Sequence, residues 1–236
     1  MQPSIVFDFD GTLAIGHGPV RAYAQQLAAV AGDDFMQAID AALAAYDAGD
    51  RSFRDGYHVV GSLATERGID AAALQRAYTE SRALLGTAAA PVDTIPELDD
   101  FLATLAGSAR LLLATNAPAT GIDRVLESWG VAGRFTELHF AIGKPAGLTR
   151  LIESLRETGS VLAIGDIAEF DLAPAAALAA DTALVGATAA TSDFPATMRG
   201  ATLASLRAEI ETWAAHAASS TPAPLGVGSS AETVER

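Results

Sequence analysis

No cysteine occurs among the 236 residues, which excludes disulfide staples, thiolate metal sites and a cysteine nucleophile. Basic residues are scarce too: 15 Lys and Arg stand against 29 Asp and Glu, a formal charge of -14. That balance repels nucleic acid and anionic membrane surfaces, so a small molecule is the expected partner. Long apolar runs are missing, since Asp, Arg, Asn or Gly interrupts each one, and no basic segment precedes an apolar stretch near Met1. A soluble, cytoplasmic protein is the expectation. No repeat of solenoid period is present. What the chain does have is 50% hydrophobic and 19% charged residues, enough apolar material for a sizeable core.

The most informative stretch is residues 4–12, Ser-Ile-Val-Phe-Asp-Phe-Asp-Gly-Thr. Ile5, Val6 and Phe7 have the length and branching of a buried strand, and the strand stops at two carboxylates and a glycine. Asp8 and Asp10 project to one side while the strand persists, and Gly11 lets the chain turn away. Two neighbouring acids resist ionising together unless a cation lies between them. A metal-assisted site at the carboxyl end of a strand follows, the usual ligand position in open α/β sheets.

Residues 13–19 read as a glycine-containing flap around His17. Apolar spacing of three and four then predicts helices over 20–31, 34–48, 53–67 and 70–85, with Asp33 and Asp70 as N-caps. A linker at 86–93 leads to a helix ending near 106, introduced by a Thr94–Glu97 capping box. Beyond it strands at 111–115, 138–142, 161–165 and 183–186 alternate with helices at 118–129, 147–157 and 172–179. This alternation predicts a Rossmann-like α/β core, a parallel sheet with helices on both faces. The expected organisation is a discontinuous core at 1–15 and 90–217, an all-helical cap at 16–89, and a disordered tail at 218–236 after a helix at 203–217.

In a parallel sheet the strand ends share one edge, which brings Asp8 and Asp10 to Thr115, Asn116 and Asp166. Lys144 stands before Pro145 at a helix start, where a cation is unfavourable for the helix alone but suits a bound anion. Pro118 marks another expected helix start beside Thr115. Anion-attracting features around a carboxylate cluster are consistent when a metal ion joins them.

These residues resemble the four motifs of the haloacid dehalogenase superfamily, whose members are mostly phosphatases. Asp8 to Thr12 is similar to the first motif, Thr115 with Asn116 to the second, Lys144 with Pro145 to the third, and Gly165 and Asp166 through Asp171 to the fourth. The resemblance implies Asp8 as nucleophile, forming an aspartyl-phosphate, and Asp10 as the acid and base. It implies Mg²⁺ held by Asp8, the main-chain carbonyl of Asp10, Asp166 and Asp171, the last directly or through water. Thr115 would hold a phosphate oxygen and Lys144 would neutralise charge during transfer. An aspartate two residues after the nucleophile favours phosphate chemistry over carbon–halogen cleavage within the family. The expected reaction is hydrolysis of a small phosphorylated metabolite by a monomer or homodimer. A phosphomutase-type transfer and a phospho-acceptor signalling or binding protein are the alternatives.

Gly11, Thr12, Asn116, His17, Arg54 and His58 are the candidate substrate contacts. Arg54 and His58 are four apart, on one face of an expected helix beside Tyr57. Each also has an ordinary structural reading. Asp171 is well placed as a helix N-cap, Asn116 as a turn former, and His17, Arg54 and His58 as solvated surface residues. Trp129 and Trp213 read as core residues, and Glu169 as a loop charge.

Overall fold

The structure, a computed structural model, describes residues 2–219. Its centre is the first strand, β1 (Ser4–Phe7), all four residues of which are buried. Strands β2 (Arg110–Ala114), β3 (Glu137–His139), β4 (Val161–Gly165), β5 (Asp181–Leu184) and β6 (Met198–Arg199) join it in the order β3-β2-β1-β4-β5-β6. Every pairing is parallel. The chain builds outward from β1 on one side, then crosses back to β4 on the other. The order therefore reverses at β1, and the crevice at its carboxyl end is where such sheets bind ligands.

Both faces of the sheet are covered, so its strands read as continuous apolar runs. Ile5, Phe7, Leu111, Leu113, Leu162 and Ile164 point to one face and pack with α5 (Leu98–Ala106) and α6 (Ile122–Ser128). A 3-10 turn at Leu203–Leu206 and α9 (Arg207–Ser219) complete that layer. Val6, Leu112, Ala114 and Ala163 point to the other face, against α7 (Ala146–Arg156) and α8 (Ala173–Ala177). Removing the fully buried Phe7 side chain would cost about 3–5 kcal/mol by the usual cavity penalty.

Between β1 and α5 the chain forms α1 (Gly18–Ala31), α2 (Phe35–Asp47), α3 (Gly56–Glu66) and α4 (Ala71–Ala83). They share a separate core built from Tyr23, Leu27, Phe35, Ile39, Leu43, Val59 and Val60. The outgoing and returning strands of chain pair with each other, Ile15 N–H to the Asp93 carbonyl (2.8 Å) and Asp93 N–H to the Ile15 carbonyl (3.3 Å).

Several local expectations change. Asp70 caps α4 by accepting the Ala73 N–H (2.7 Å), whereas α2 begins at Phe35 after Asp34, whose carboxylate reaches Arg67 instead (3.3 Å). The Thr94–Glu97 box does not form. The Thr94 hydroxyl donates to the Leu13 carbonyl (2.7 Å), and the Glu97 carboxylate pairs with Arg207 (3.1 Å). The helix expected from 118 starts at Ile122, after Gly121 in the left-handed region, so Pro118 offers no helix N-terminus to an anion. At two residues, β6 is too short to show a strand pattern. Helix α9 continues to Ser219, which makes the first two residues of the expected tail helical; the rest lies outside the described residues. Among the described residues, no helix is long and apolar enough to cross a membrane.

Candidate active site

Parallel register sets the first layer of the site. Phe7 is level with Leu113 of β2 and Ile164 of β4, so the residues just past those strand ends meet at one edge. The Asp8 N–H still donates to the Ile164 carbonyl (2.9 Å), holding Asp8 in the sheet's last rung. Carboxylate oxygens of Asp8, Asp166 and Asp171 lie within 4.8 Å of one another, and all three residues are buried. Gly11 turns the chain at φ +86° beside them, and a Cβ there would stand 2.2 Å from Asp166 Oδ2. The turn and the close approach both require glycine. Gly165, at the end of β4, allows the same close approach to Asp171, whose Cβ lies 2.2 Å from where a side chain would begin.

Lys144 is the cation in this cluster. Its ammonium donates to Asp8 Oδ1 (2.6 Å) and Asp171 Oδ1 (2.7 Å). Asn116 Oδ1 fixes its main chain by accepting the Lys144 N–H (2.6 Å). The second Asp8 oxygen accepts the Thr12 hydroxyl (3.3 Å). Asp171 Oδ2 accepts the Ile167 N–H (2.9 Å) within a π-helical turn, Ala168–Leu172. Asp171 is therefore inside the turn and does not cap the next helix. Asp166 differs, since its Oδ1 is buried with no partner.

The Asp10 carboxylate belongs to other neighbours. Arg82 Nη1, from α4, donates to Asp10 Oδ1 (3.0 Å) and Oδ2 (3.3 Å), and the Tyr57 hydroxyl, from α3, donates to Oδ1 (3.2 Å). The Asp10 carboxylate stands outside the group formed by Asp8, Asp166 and Asp171.

The electrostatics separate the groups. Burial pushes Asp8 up to about 6, with the Lys144 charge opposing the rise. Burial also raises Asp10, against the Arg82 guanidinium, and it raises Asp166 well above the carboxylate range, helped by Asp171 and Asp8. For Lys144, burial favours the neutral amine, but Asp8 and Asp171 outweigh it and the net shift is upward. With all three ionised, the carboxylates would outnumber the one ammonium by two charges, the state that burial of Asp8 and Asp166 opposes until a cation joins them. That donor set, all oxygen, with an open oxygen on Asp166, fits a hard divalent cation.

A cavity of about 480 Å³ lies between this edge and the helical insertion. Asp8, Asp10, Gly11, Thr115, Asn116, Lys144, Asp166 and Asp171 line it from the sheet side. His17, Tyr46, Arg54 and Tyr57 line it from the other. Thr115 Oγ1 accepts the Ala117 N–H (3.1 Å), which leaves its O–H free to donate. Thr12, expected as a substrate contact, is buried, donates to Asp8 and is not among the residues that line the cavity.

His17 lines the cavity but is paired with Asp47 (2.8 Å). Arg54 lies ahead of α3, not on it, and stacks its guanidinium on Phe170 (4.9 Å) while Nε donates to Asp55 (3.0 Å). His58 faces away. Its Nδ1 accepts the Arg54 N–H (3.1 Å), and its ring meets Phe53 beside a smaller surface groove. The shared helical face expected for Arg54 and His58 fails because α3 starts at Gly56, capped by Asp55. Trp129 packs on Phe9 at 6.0 Å, and Trp213 packs on the core with its indole N–H on Asp181 (2.9 Å). Glu169 is exposed.

Arg82 is the site residue the sequence did not single out. A basic residue in the last turn of a helix has an ordinary reading as a partner of the helix dipole.

Residues 3–179 match the family model for haloacid dehalogenase-like hydrolases. No curated protein matches the chain. Among solved structures, a predicted phosphatase from Clostridium acetobutylicum superposes with a TM-score of 0.59 at 15% identity, over 89% of this chain and 98% of that one. The HAD-hydrolase YfnB from Bacillus subtilis, bound to magnesium, gives 0.57 at 16%, over 89% and 98%. CbbY from Rhodobacter sphaeroides, in complex with phosphate, gives 0.56 at 17%, over 84% and 93%. At these identities the likeness is one of fold.

Proposed function

The chain belongs to the haloacid dehalogenase-like hydrolases, and within that family we propose that it is a Mg²⁺-dependent phosphatase of small phosphorylated metabolites. The observation that carries the reading is the meeting of three buried carboxylates with a single lysine, two negative charges in excess once all three are ionised. A phosphate dianion would be repelled from that edge without a divalent cation. Asp8 and Asp166 would hold the cation with the main-chain carbonyl of Asp10, and Asp171 would stand beside them, already engaged by Lys144 and Ile167. Bound there, Mg²⁺ supplies positive charge to the phosphoryl oxygens. The magnesium in YfnB and the phosphate in CbbY accord with this reading.

The side chains divide the work. Lys144 and Thr12 bracket the Asp8 carboxylate and orient it. Asp8 attacks phosphorus, forming the Asp8 O–P bond as the bond to the leaving oxygen breaks, and Asp10 gives that oxygen its proton. Asp10 then takes a proton from the water that attacks the phosphoaspartate, which frees Asp8 and phosphate. Thr115 donates to a phosphoryl oxygen, and Lys144 balances charge during transfer. The helical insertion serves as a cap that excludes bulk water and contacts the leaving group.

A screen of phosphomonoesters for phosphate release, with and without Mg²⁺, tests the proposal. Turnover should require Mg²⁺, and Asp8→Asn should lower it at least about 10⁴-fold with the fold retained. Phosphate release that survives Asp8→Asn refutes the mechanism.

A further inference from the structure

Arg82 is 1% exposed, although a last-turn cation on a helix normally sits at the surface. Nη1 carries its hydrogen bonds to Asp10 and to the Tyr57 oxygen (3.1 Å), while Nε and Nη2 are buried with no partner. Among the described residues, Asp10 is its sole ion-pair partner. As a structural contact this is expensive: a buried guanidinium with idle N–H groups contributes less stability than an apolar side chain of similar volume. What the contact does achieve is orientation. Two donors from different helices converge on Asp10 Oδ1, and Oδ2 has only the longer Arg82 contact. Tyr57 is itself held by the rings of Tyr23 (6.2 Å) and Tyr78 (5.7 Å).

We infer that Arg82 and Tyr57 are positioning residues for Asp10, fixing its carboxylate so that Oδ2 exchanges the proton with the leaving oxygen. The inference rests on the reading of Asp10 as acid and base. Both donors belong to the helical insertion and Asp10 to the sheet edge, so the acid is oriented only while the insertion is docked over the cavity. Proton transfer is thereby tied to cover from bulk water.

The test uses the full chain with Mg²⁺ and a series of substituted phenyl phosphates of one shape. p-Nitrophenolate leaves without help from an acid, whereas phenolate and p-methoxyphenolate need a proton more. Arg82→Gln should lower kcat/KM, which reports only the steps through departure of the leaving oxygen, by about 10- to 100-fold on phenyl phosphate and by less than about threefold on p-nitrophenyl phosphate, within the range of acid–base contributions. Arg82→Lys should recover part of the loss. Tyr57→Phe, which removes one hydroxyl, should shift the series the same way and carries the test where Arg82→Gln does not fold. Neither substitution should lower kcat/KM further in an Asp10→Asn background. Equal losses across the series, or an undiminished loss in that background, overturn the inference alone. A wild-type protein that releases phosphate neither from this series nor from any phosphomonoester of the screen overturns the phosphatase reading and the inference together.

Discussion

Asp8 and Asp10 are the same residue type two positions apart, yet different parts of the molecule hold them. Asp8 is gripped from the sheet edge by Lys144 and Thr12, Asp10 from the helical insertion by Arg82 and Tyr57. The two grips differ in charge balance. Lys144 faces three carboxylates and leaves an excess that attracts a cation. Arg82 faces one carboxylate and cancels it. The sheet edge thus gathers charge, and the insertion directs a single side chain, the one the proposed mechanism uses to carry a proton. In the proposed mechanism these separate surroundings are what let two aspartates serve side by side, one as nucleophile and one as acid.

Removing Lys144 should break this contrast most severely. Lys144→Met leaves Asp8, Asp166 and Asp171 without their cation in the metal-free protein. Stability at pH 8 in EDTA should fall by about 3–5 kcal/mol, the usual result of stripping one partner from a buried pair. With Mg²⁺ restored, kcat should still be lower by at least about 100-fold, because charge neutralisation during transfer is lost. Denaturant titration and phosphate release measure the two effects. Full stability in EDTA would show that the carboxylates do not depend on Lys144.

A smaller effect is expected from pH. The folded-state values of Asp8 and Asp166 both lie above the ordinary carboxylate value, Asp8 at about 6 and Asp166 well above that ordinary value, chiefly through burial. Between the unfolded value near 3.8 and those folded values, the folded protein binds more protons than the unfolded chain. Stability from these groups is therefore lost as pH rises through that window. The melting temperature in EDTA should fall by on the order of 5 °C from pH 4 to 7 relative to an Asp166→Asn variant. Mg²⁺ should remove the difference, since the cation stabilises the ionised carboxylates. An identical pH profile for wild type and variant would place the charge excess elsewhere.

The contrast also explains what the sequence revealed. Asp8, Thr115 and Asp166 follow apolar strands directly, and a parallel sheet brings such positions to one edge wherever the chain wanders in between. Their meeting could be read from strand order alone. Lys144 was legible through its place before Pro145 and through the motif resemblance. Arg82 was not, because its partner Asp10 lies 72 residues away and no local pattern tells that a last-turn arginine is buried. Helix starts failed where a local contact outweighed propensity. Thr94, suited to a cap, donates to Leu13 on the flap instead, and Gly121 delays the helix that Pro118 would otherwise begin. Interior patterns survive such competition because many residues contribute to them, while an end rests on one or two hydrogen bonds.

The smallest effect separates two residues of the insertion that the sequence treated alike. Arg54 reaches across the cavity mouth to Phe170 of the π-helical turn, so Arg54→Ala removes a contact between the insertion and the sheet edge as well as a cation facing the cavity. KM for the best substrate of the screen should rise by about three- to tenfold, the scale of one exposed cation–π contact or ion pair. His58 lies outside the cavity, against Phe53 and the Arg54 main chain, and His58→Ala should leave kcat/KM within about twofold of wild type, as expected of an exposed side chain remote from the chemistry. If His58→Ala were the more damaging change, the leaving group would have to contact the groove that His58 shares with Tyr23, Leu74 and Tyr78, not the larger cavity. The two grips on Asp8 and Asp10 would then open onto a different substrate path.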